Sequence, residues 1–197
     1  NARSAYASIT SSSFFYFAAM QLMIVFGLWL QTDYGLGAAQ LGTVALILGV
    51  FDLASSVTVS VITDRIGKRR SVALGLLAGI ITCLMLPWIS RSLASAVAGL
   101  ALTRASFEFA IVSNLPLLSE QVPTQRGKVM TLGSAINLMG ATAAGLTAPR
   151  LFEAFGIGVV SWTSAFFAGI ALTVLLLFVR EYGIDSGWDR LRRARTG

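Results

Sequence analysis

Six long apolar runs constrain the fold of this chain more than any other feature of its sequence. Each run is about 20 residues long, the length that a helix needs to cross a hydrocarbon core about 30 Å thick. A helix also satisfies its own backbone hydrogen bonds, which lipid cannot do for it. The runs therefore predict an all-α membrane protein with six transmembrane helices, at residues 14–32, 41–63, 71–90, 94–118, 129–149 and 156–179.

The composition excludes an ordinary soluble domain and divides the chain into three parts. Of the 197 residues, 55% are hydrophobic and only 12% are charged, and the mean hydropathy is +0.75. The tract 1–13 is short, polar and Ser-rich, which is typical of a loop, and we interpret it as the end of a cytoplasmic linker. The six-helix bundle then occupies residues 14–180, and residues 181–197 form a basic cytoplasmic tail.

The net charge of +6 is distributed in a way that indicates orientation in a membrane. If the basic loop between the second and third runs is cytoplasmic, six spans place both termini on that side. Of the 15 Lys and Arg residues, Arg91 and Arg150 then fall outside, Arg104 lies within a span, and the other twelve lie inside. Such an asymmetry follows the positive-inside rule. We expect an integral protein of the bacterial inner membrane that contacts the lipid bilayer and binds no nucleic acid.

Several residue types on which enzymes depend are missing from the sequence. The chain has no histidine, so the usual general base and the usual metal ligand are absent. Its one cysteine, Cys83, lies in the middle of the third run. Neither a phosphate-binding G-x-x-x-x-G-K-[ST] loop nor a G-x-S-x-G elbow occurs. We therefore expect neither an enzyme nor a cofactor nor a metal site.

Three ionisable residues, Asp52, Arg104 and Glu108, lie within predicted spans. Each costs about 2.5–3.5 kcal/mol at the centre of a membrane helix, so each should face protein or a cavity. Arg104 and Glu108 are four residues apart and share one helical face. They form either a self-neutralising pair within the helix or a site where Glu108 or Asp52 titrates during transport. Gln21 and Asn114 either line the same pathway or hold helices together.

The predicted inner loops combine charge with residues that orientation alone does not require. Asp64 and Gly67 stand within the basic loop, beside Arg65, Lys68 and Arg69, while Glu120 and Arg126 flank the loop before the fifth span. Gly67 allows a tight turn, and Glu120 is placed to pair with Arg65 or Arg69. We interpret these seven residues as a conformational latch, meaning a set of contacts that closes the inner face in one state. The alternative is a solvated loop that needs only its positive charges.

The segment 60–70, with the sequence SVITDRIGKRR, resembles the signature loop of the major facilitator superfamily. That loop reads roughly G-x-L-a-D-r-x-G-r-k/r-x, and this chain departs from it at Ser60. The loop from Pro123 to Gly127 is similar to the one that leads into the fifth helix of a half in that family. The resemblance implies a half bundle built as a 3+3 inverted repeat, here the C-terminal half. Its partner would be a complementary six-helix half in the same or another chain.

The resemblance also implies a function. It assigns the latch role to Asp64, Arg65, Gly67, Lys68 and Arg69, and it favours Gln21, Arg104 and Glu108 as cavity residues because the first and fourth helices of a half line the cavity. We predict a secondary active transporter, or half of one, that moves a small molecule by alternating access. Membrane carboxylates without a nucleotide motif indicate proton-coupled uptake or efflux, as an antiporter or a symporter. The alternative is a non-transporting membrane scaffold or assembly protein on the same six-helix unit.

Overall fold

The computed structural model describes residues 2–179, apart from the side chains of residues 2, 60, 61, 64 and 65. The predicted basic tail at 181–197 lies outside the described residues. Every regular element in the described part is helical, which confirms the all-α prediction, and a short 3₁₀ turn at Pro123–Gln125 precedes the last helix. The five long helices are α1 (Ala2–Tyr34), α2 (Ala38–Ile66), α3 (Lys68–Ile89), α4 (Leu93–Ser119) and α5 (Arg126–Phe178).

All five helices are long and apolar enough to cross a membrane. The first four correspond to the first four predicted spans, and α3 ends one residue before its predicted span does. The last two predicted spans fall within α5 apart from residue 179, and the 53 residues of α5 would measure about 80 Å as a straight helix. That length is more than twice a hydrocarbon core of about 30 Å.

A single residue, Gly156, divides α5 into two helical segments. Its backbone has φ +73° and ψ −174°, which is not a helical conformation. This region of backbone space is essentially restricted to glycine. The chain is helical on both sides of the break, so the outer loop expected at 150–155 is instead part of a helix.

The helices pack as a bundle in which α1 lies along α5, α2 lies on α4, and α3 contacts both α4 and α5. Glycines permit the closest approaches. A Cβ atom on Gly140 of α5 would lie 2.8 Å from the backbone oxygen of Ser13 in α1. A Cβ atom on Gly75 of α3 would lie 2.7 Å from the backbone nitrogen of Ala110 in α4. Small residues therefore allow membrane helices to touch backbone to backbone.

The Ser-rich tract 1–13 is helical from its second residue onward, so the expectation of a loop was wrong. Its hydroxyls join α1 to other helices. Ser11 Oγ donates a hydrogen bond to the Ala171 carbonyl at 2.7 Å, and Ser12 Oγ lies 2.8 Å from Asn137 Oδ1. The serines in this tract form hydrogen bonds across helix contacts. A solvated loop is equally rich in serine, so the composition of the tract did not distinguish the two.

Candidate functional site

The ionisable residues of the spans meet at the contact between α2 and α4. Arg104 Nη2 of α4 forms an ion pair with Asp52 Oδ2 of α2, and Arg104 Nε donates a second hydrogen bond to Asp52 Oδ1 at 3.3 Å. One turn further along both helices, Ser56 Oγ donates to Glu108 Oε1 at 2.8 Å. Both pairs advance by four residues on each helix, which is the register of two parallel helices in side-by-side contact. We call this contact the α2–α4 seam.

The guanidinium of Arg104 is enclosed by two other helices. Only 19% of its side chain and 23% of the Asp52 side chain are exposed. Arg104 Nη1 also contacts Met23 Sδ from α1. The structure therefore pairs Arg104 with Asp52 on a neighbouring helix and not with Glu108 on its own helix. The intrahelical pair considered from the sequence is not formed, because the guanidinium is engaged by both oxygens of Asp52.

The charges at the seam do not sum to zero. Arg104 supplies one positive charge, whereas Asp52 and Glu108 supply two carboxylates. Asp52 takes the cation, and Glu108 accepts a hydrogen bond from the neutral hydroxyl of Ser56. Glu108 thus has a hydroxyl and no cation as its hydrogen-bond partner among the described side chains.

These residues line a small cavity between α1, α2 and α4. Its volume is about 70 Å³, and Asp52, Arg104 and Glu108 all contribute to its wall. A second cavity of about 330 Å³ lies between α1, α4 and α5. The two cavities share the wall residues Met20 and Ile111, so they are adjacent.

The second cavity has polar residues on all three of its helices. Tyr16 of α1, Asn114 of α4, and Ser134 and Asn137 of α5 contribute to its lining. A water molecule takes about 30 Å³ of liquid volume, so the space is large enough for several waters or a small solute. Asn114 therefore contributes to the wall of the second cavity, which adjoins the one that Glu108 lines.

Gln21 does not line either of these two cavities. It is completely buried, and neither its Oε1 nor its Nε2 has a hydrogen-bond partner among the described residues. Two other cavity residues, Tyr16 and Ser134, are absent from the sequence prediction. A single Tyr or Ser in an apolar run does not indicate a cavity-lining residue, because only the packing of three helices brings these side chains together.

The residues of the predicted latch lie at the ends of α3, α4 and α5. Lys68 at the start of α3 forms an ion pair with Glu120, the residue that follows α4. Arg69 Nη2 donates to the carbonyl of Leu176, near the end of α5, at 2.6 Å. Glu120 thus pairs with a different basic residue from the two expected.

Other latch residues have simpler surroundings. Gly67 turns the chain between α2 and α3 with φ +98°, and its backbone nitrogen donates to the Thr63 carbonyl at 3.0 Å. Arg126 begins α5 and is exposed. The side chains of Asp64 and Arg65 lie outside the described part of the structure.

A buried contact near the latch was not predicted from the sequence. Ser4 Oγ of α1 donates to Gln121 Oε1 at 2.6 Å, and both residues are almost completely buried. Gln121 Nε2 in turn donates to the Leu117 carbonyl at 3.1 Å. The start of α1 is thereby attached to the end of α4. Within residues 2–179 the side chains that the structure describes include no group of three or more His, Cys, Asp and Glu residues placed to hold a metal ion.

Comparison with known proteins agrees with the motif in the basic loop. The family model of the Major Facilitator Superfamily matches residues 9–193. YwfA of Bacillus subtilis (strain 168), an uncharacterized MFS-type transporter, is 26% identical over 159 residues. The match covers 80% of this chain and 38% of YwfA, so the chain spans well under half the length of this relative. Since the family model covers most of the chain, the predicted resemblance is confirmed: the chain belongs to the major facilitator superfamily of membrane transporters.

Proposed function

We propose that this chain forms one six-helix half of a secondary active transporter that moves a small solute by alternating access. The helices α1 to α4 would each cross the membrane once, and the two segments of α5 would cross it on either side of Gly156. Family membership and the short match to YwfA support this proposal, since the rest of that relative leaves room for a complementary half. The positive-inside rule supports cytoplasmic termini in a bacterial inner membrane.

The observation that carries the proposal is the charge imbalance at the α2–α4 seam. Glu108 is partly buried, lines a cavity, and accepts a hydrogen bond from a neutral hydroxyl while the nearby cation is engaged by Asp52. A carboxylate in this position is costly to keep ionised at membrane depth. We propose that Glu108 binds and releases the coupling proton.

Arg104 would link protonation to a change in structure. It lies one helical turn from Glu108, close enough for its guanidinium to turn from Asp52 toward Glu108. When Glu108 loses its proton, the second carboxylate competes with Asp52 for the same cation. We propose that this exchange loosens α2 from α4 and changes the shape of the adjacent cavity, which holds the solute near Asn114.

The latch would act at the cytoplasmic ends of the same helices. The contacts of Lys68 with Glu120 and of Arg69 with Leu176 join α3 to α4 and to α5. We propose that these contacts close the inner face in one state, together with Asp64, Arg65, Gly67 and Arg126. The family's alternating rocking of two halves would break and reform them.

The test uses the full-length protein that contains this chain, reconstituted in liposomes with a trapped pH indicator. Small-molecule extracts of the source cells, separated into fractions, serve as the probe. The wild-type protein should show proton flux that depends on at least one fraction, and Glu108→Gln should abolish that flux. Glu153→Gln, a matched change at an exposed carboxylate on α5, should leave the flux unchanged.

Three results would contradict the proposal in whole or in part. Solute-dependent proton flux that persists in Glu108→Gln would remove the role of Glu108. An absence of flux with every fraction in the wild-type protein would favour the alternative of a non-transporting scaffold. Solute exchange without proton movement would retain the transporter but exclude proton coupling.

A further inference from the structure

A groove opens between α2, α3 and α4 on the side away from the charged cavity. Its volume is about 440 Å³, and each helix contributes a small residue to its lining: Ala54, Ala78 and Ala105. None of its lining residues belongs to the cavity that contains Asp52, Arg104 and Glu108. Leu74 and Leu102 at the groove are 50% and 60% exposed, so the groove faces the outside of the bundle.

The groove is lined mostly by carbon, and three of its lining residues carry hydroxyls: Ser55, Thr58 and Ser106. Thr58 Oγ1 donates to the Ala54 carbonyl, and Ser106 Oγ donates to the Leu102 carbonyl, both at 2.8 Å. Because two of the three hydroxyls bond within their own helices, the groove offers a water molecule few of the two to four polar partners that it needs. The three helices that form the groove are all apolar enough to cross a membrane. The natural occupant is therefore a hydrocarbon chain.

The size of the groove agrees with that occupant. The groove follows residues 51–58 of α2 and residues 102–109 of α4, which is about 10 Å along each helix axis. It therefore accommodates part of the length of one acyl chain that lies along the bundle surface.

A positive charge lies next to one end of the groove. Arg70 stands one turn before Leu74 on α3, on the same helical face and about 6 Å along the axis. It is exposed, whereas Lys68 is paired with Glu120 and Arg69 bonds to the Leu176 carbonyl. Arg70 is thus the available cation among the three basic residues that begin α3.

We propose that this groove binds one acyl chain of an anionic phospholipid whose phosphate contacts Arg70. The long side chain of Arg70 reaches the headgroup region while its methylenes follow the helix surface. The proposal does not depend on solute transport, since it rests on the groove, its mostly apolar lining and the position of Arg70. It predicts that the lipid holds α2 against α3 on the outer side of the α2–α4 seam.

The test measures lipids that the full-length protein retains in detergent, by native mass spectrometry with phosphatidylglycerol or phosphatidylcholine. One Arg near a membrane surface favours an anionic lipid about fivefold, so the wild-type protein should prefer phosphatidylglycerol by that factor at this site. Arg70→Gln should remove this preference, and Arg70→Lys should keep it. Arg91→Gln, at an exposed Arg beyond the opposite end of α3, is the matched control and should behave as wild type.

A second variant tests the groove itself. Ala54→Trp places an indole in the space of the acyl chain and should reduce retention of both lipids severalfold. Ala45→Trp, at an exposed alanine of α2 that does not line the groove, should not change retention. Thermal unfolding of each variant shows whether it remains folded.

Three outcomes would overturn the proposal. Arg70→Gln could keep the lipid preference, or Ala54→Trp could retain as much lipid as Ala45→Trp. The third outcome is a photocrosslink in native membranes from position 54 to a protein segment, which would show that the complementary half or a second copy covers the groove.

Discussion

The ion pair between Asp52 and Arg104 yields the sharpest prediction, because the sequence alone allowed a different partner. About four-fifths of each side chain is buried, and the pair is joined through both carboxylate oxygens. Breaking a fully buried pair by removing one partner costs about 3–5 kcal/mol. The remaining exposure and the nearby carboxylate of Glu108 reduce this cost, so we expect Asp52→Asn to lower the free energy of unfolding by about 2–3 kcal/mol.

A double-mutant cycle isolates the pair from other effects of each substitution. Arg104→Gln alone should cost a similar amount, and the double variant Asp52→Asn with Arg104→Gln should cost less than the sum by about 2 kcal/mol. Reversible unfolding in mixed detergent micelles provides the free energies. A matched cycle between Arg104 and Glu108 should show a smaller coupling of about 0.5 kcal/mol, the value typical of an i,i+4 pair on one helix.

Either of two results would refute this reasoning. Additive costs for Asp52 and Arg104 would show that their contact contributes nothing. A larger coupling of Arg104 to Glu108 than to Asp52 would restore the intrahelical pair as the dominant interaction. Glu108→Gln alone should cost no more than about 1 kcal/mol, because a Gln oxygen still accepts the hydrogen bond from Ser56.

Three further substitutions test the packing, each by thermal or denaturant unfolding of the purified protein. Gly140→Val should destabilise the fold by about 1–3 kcal/mol, because its Cβ would lie 2.8 Å from the Ser13 backbone oxygen, whereas Gly145→Ala should be tolerated because its nearest neighbour lies at 3.9 Å. Gly156→Ala should cost about 1–3 kcal/mol from backbone strain alone, since no atom lies within 4 Å of its Cβ position. Gln21→Met should leave the free energy of unfolding unchanged or raise it by up to about 3 kcal/mol, because it removes a buried amide without a partner in the described residues. A loss of several kcal/mol would instead mean that Gln21 makes essential bonds.

The spans could be predicted from the sequence because hydropathy is a local property. The first four predicted runs match α1 to α4, and only the third extends past its helix, by one residue. The prediction failed at residues 1–13, where Ser11 and Ser12 bond to other helices. Whether a serine faces water or a neighbouring helix depends on contacts more than a hundred residues away, which a local pattern does not contain.

The candidate site was likewise predictable only in part, because some of its features depend on contacts between helices. The cost of burying charge predicted that Asp52, Arg104 and Glu108 face protein or a cavity, and all three line one. Helical spacing restricted Arg104 and Glu108 to one face but did not identify the partner of the guanidinium. That choice depends on the register of α2 against α4, which is set by packing along both helices.

The α2–α4 seam connects the charged cavity to the latch through polar contacts along its length. After the pairs at Arg104 and Glu108, the Thr63 and Ser113 hydroxyls lie 2.8 Å apart in a buried contact, and Lys68 pairs with Glu120 just beyond the ends of the two helices. Arg104 and Glu120 are sixteen residues apart, which is roughly 24 Å of helix. Although Pro116 lies within this stretch, α4 stays helical to Ser119, so a shift of α4 along α2 at the cavity would also move its partners at the C-terminal end.

This arrangement would couple the proposed proton site to the proposed latch. If protonation of Glu108 changes the register of the seam, then breaking the pair of Lys68 and Glu120 must change the proton affinity of Glu108 by the same factor, since coupling between sites is reciprocal. We therefore expect Glu120→Gln to shift the pH midpoint of Glu108 protonation, measured from its carboxyl band by infrared difference spectroscopy. Glu153→Gln, at an exposed carboxylate outside the seam, should leave that midpoint unchanged. Equal midpoints in all three proteins would mean that the seam holds the helices together without transmitting the state of one end to the other.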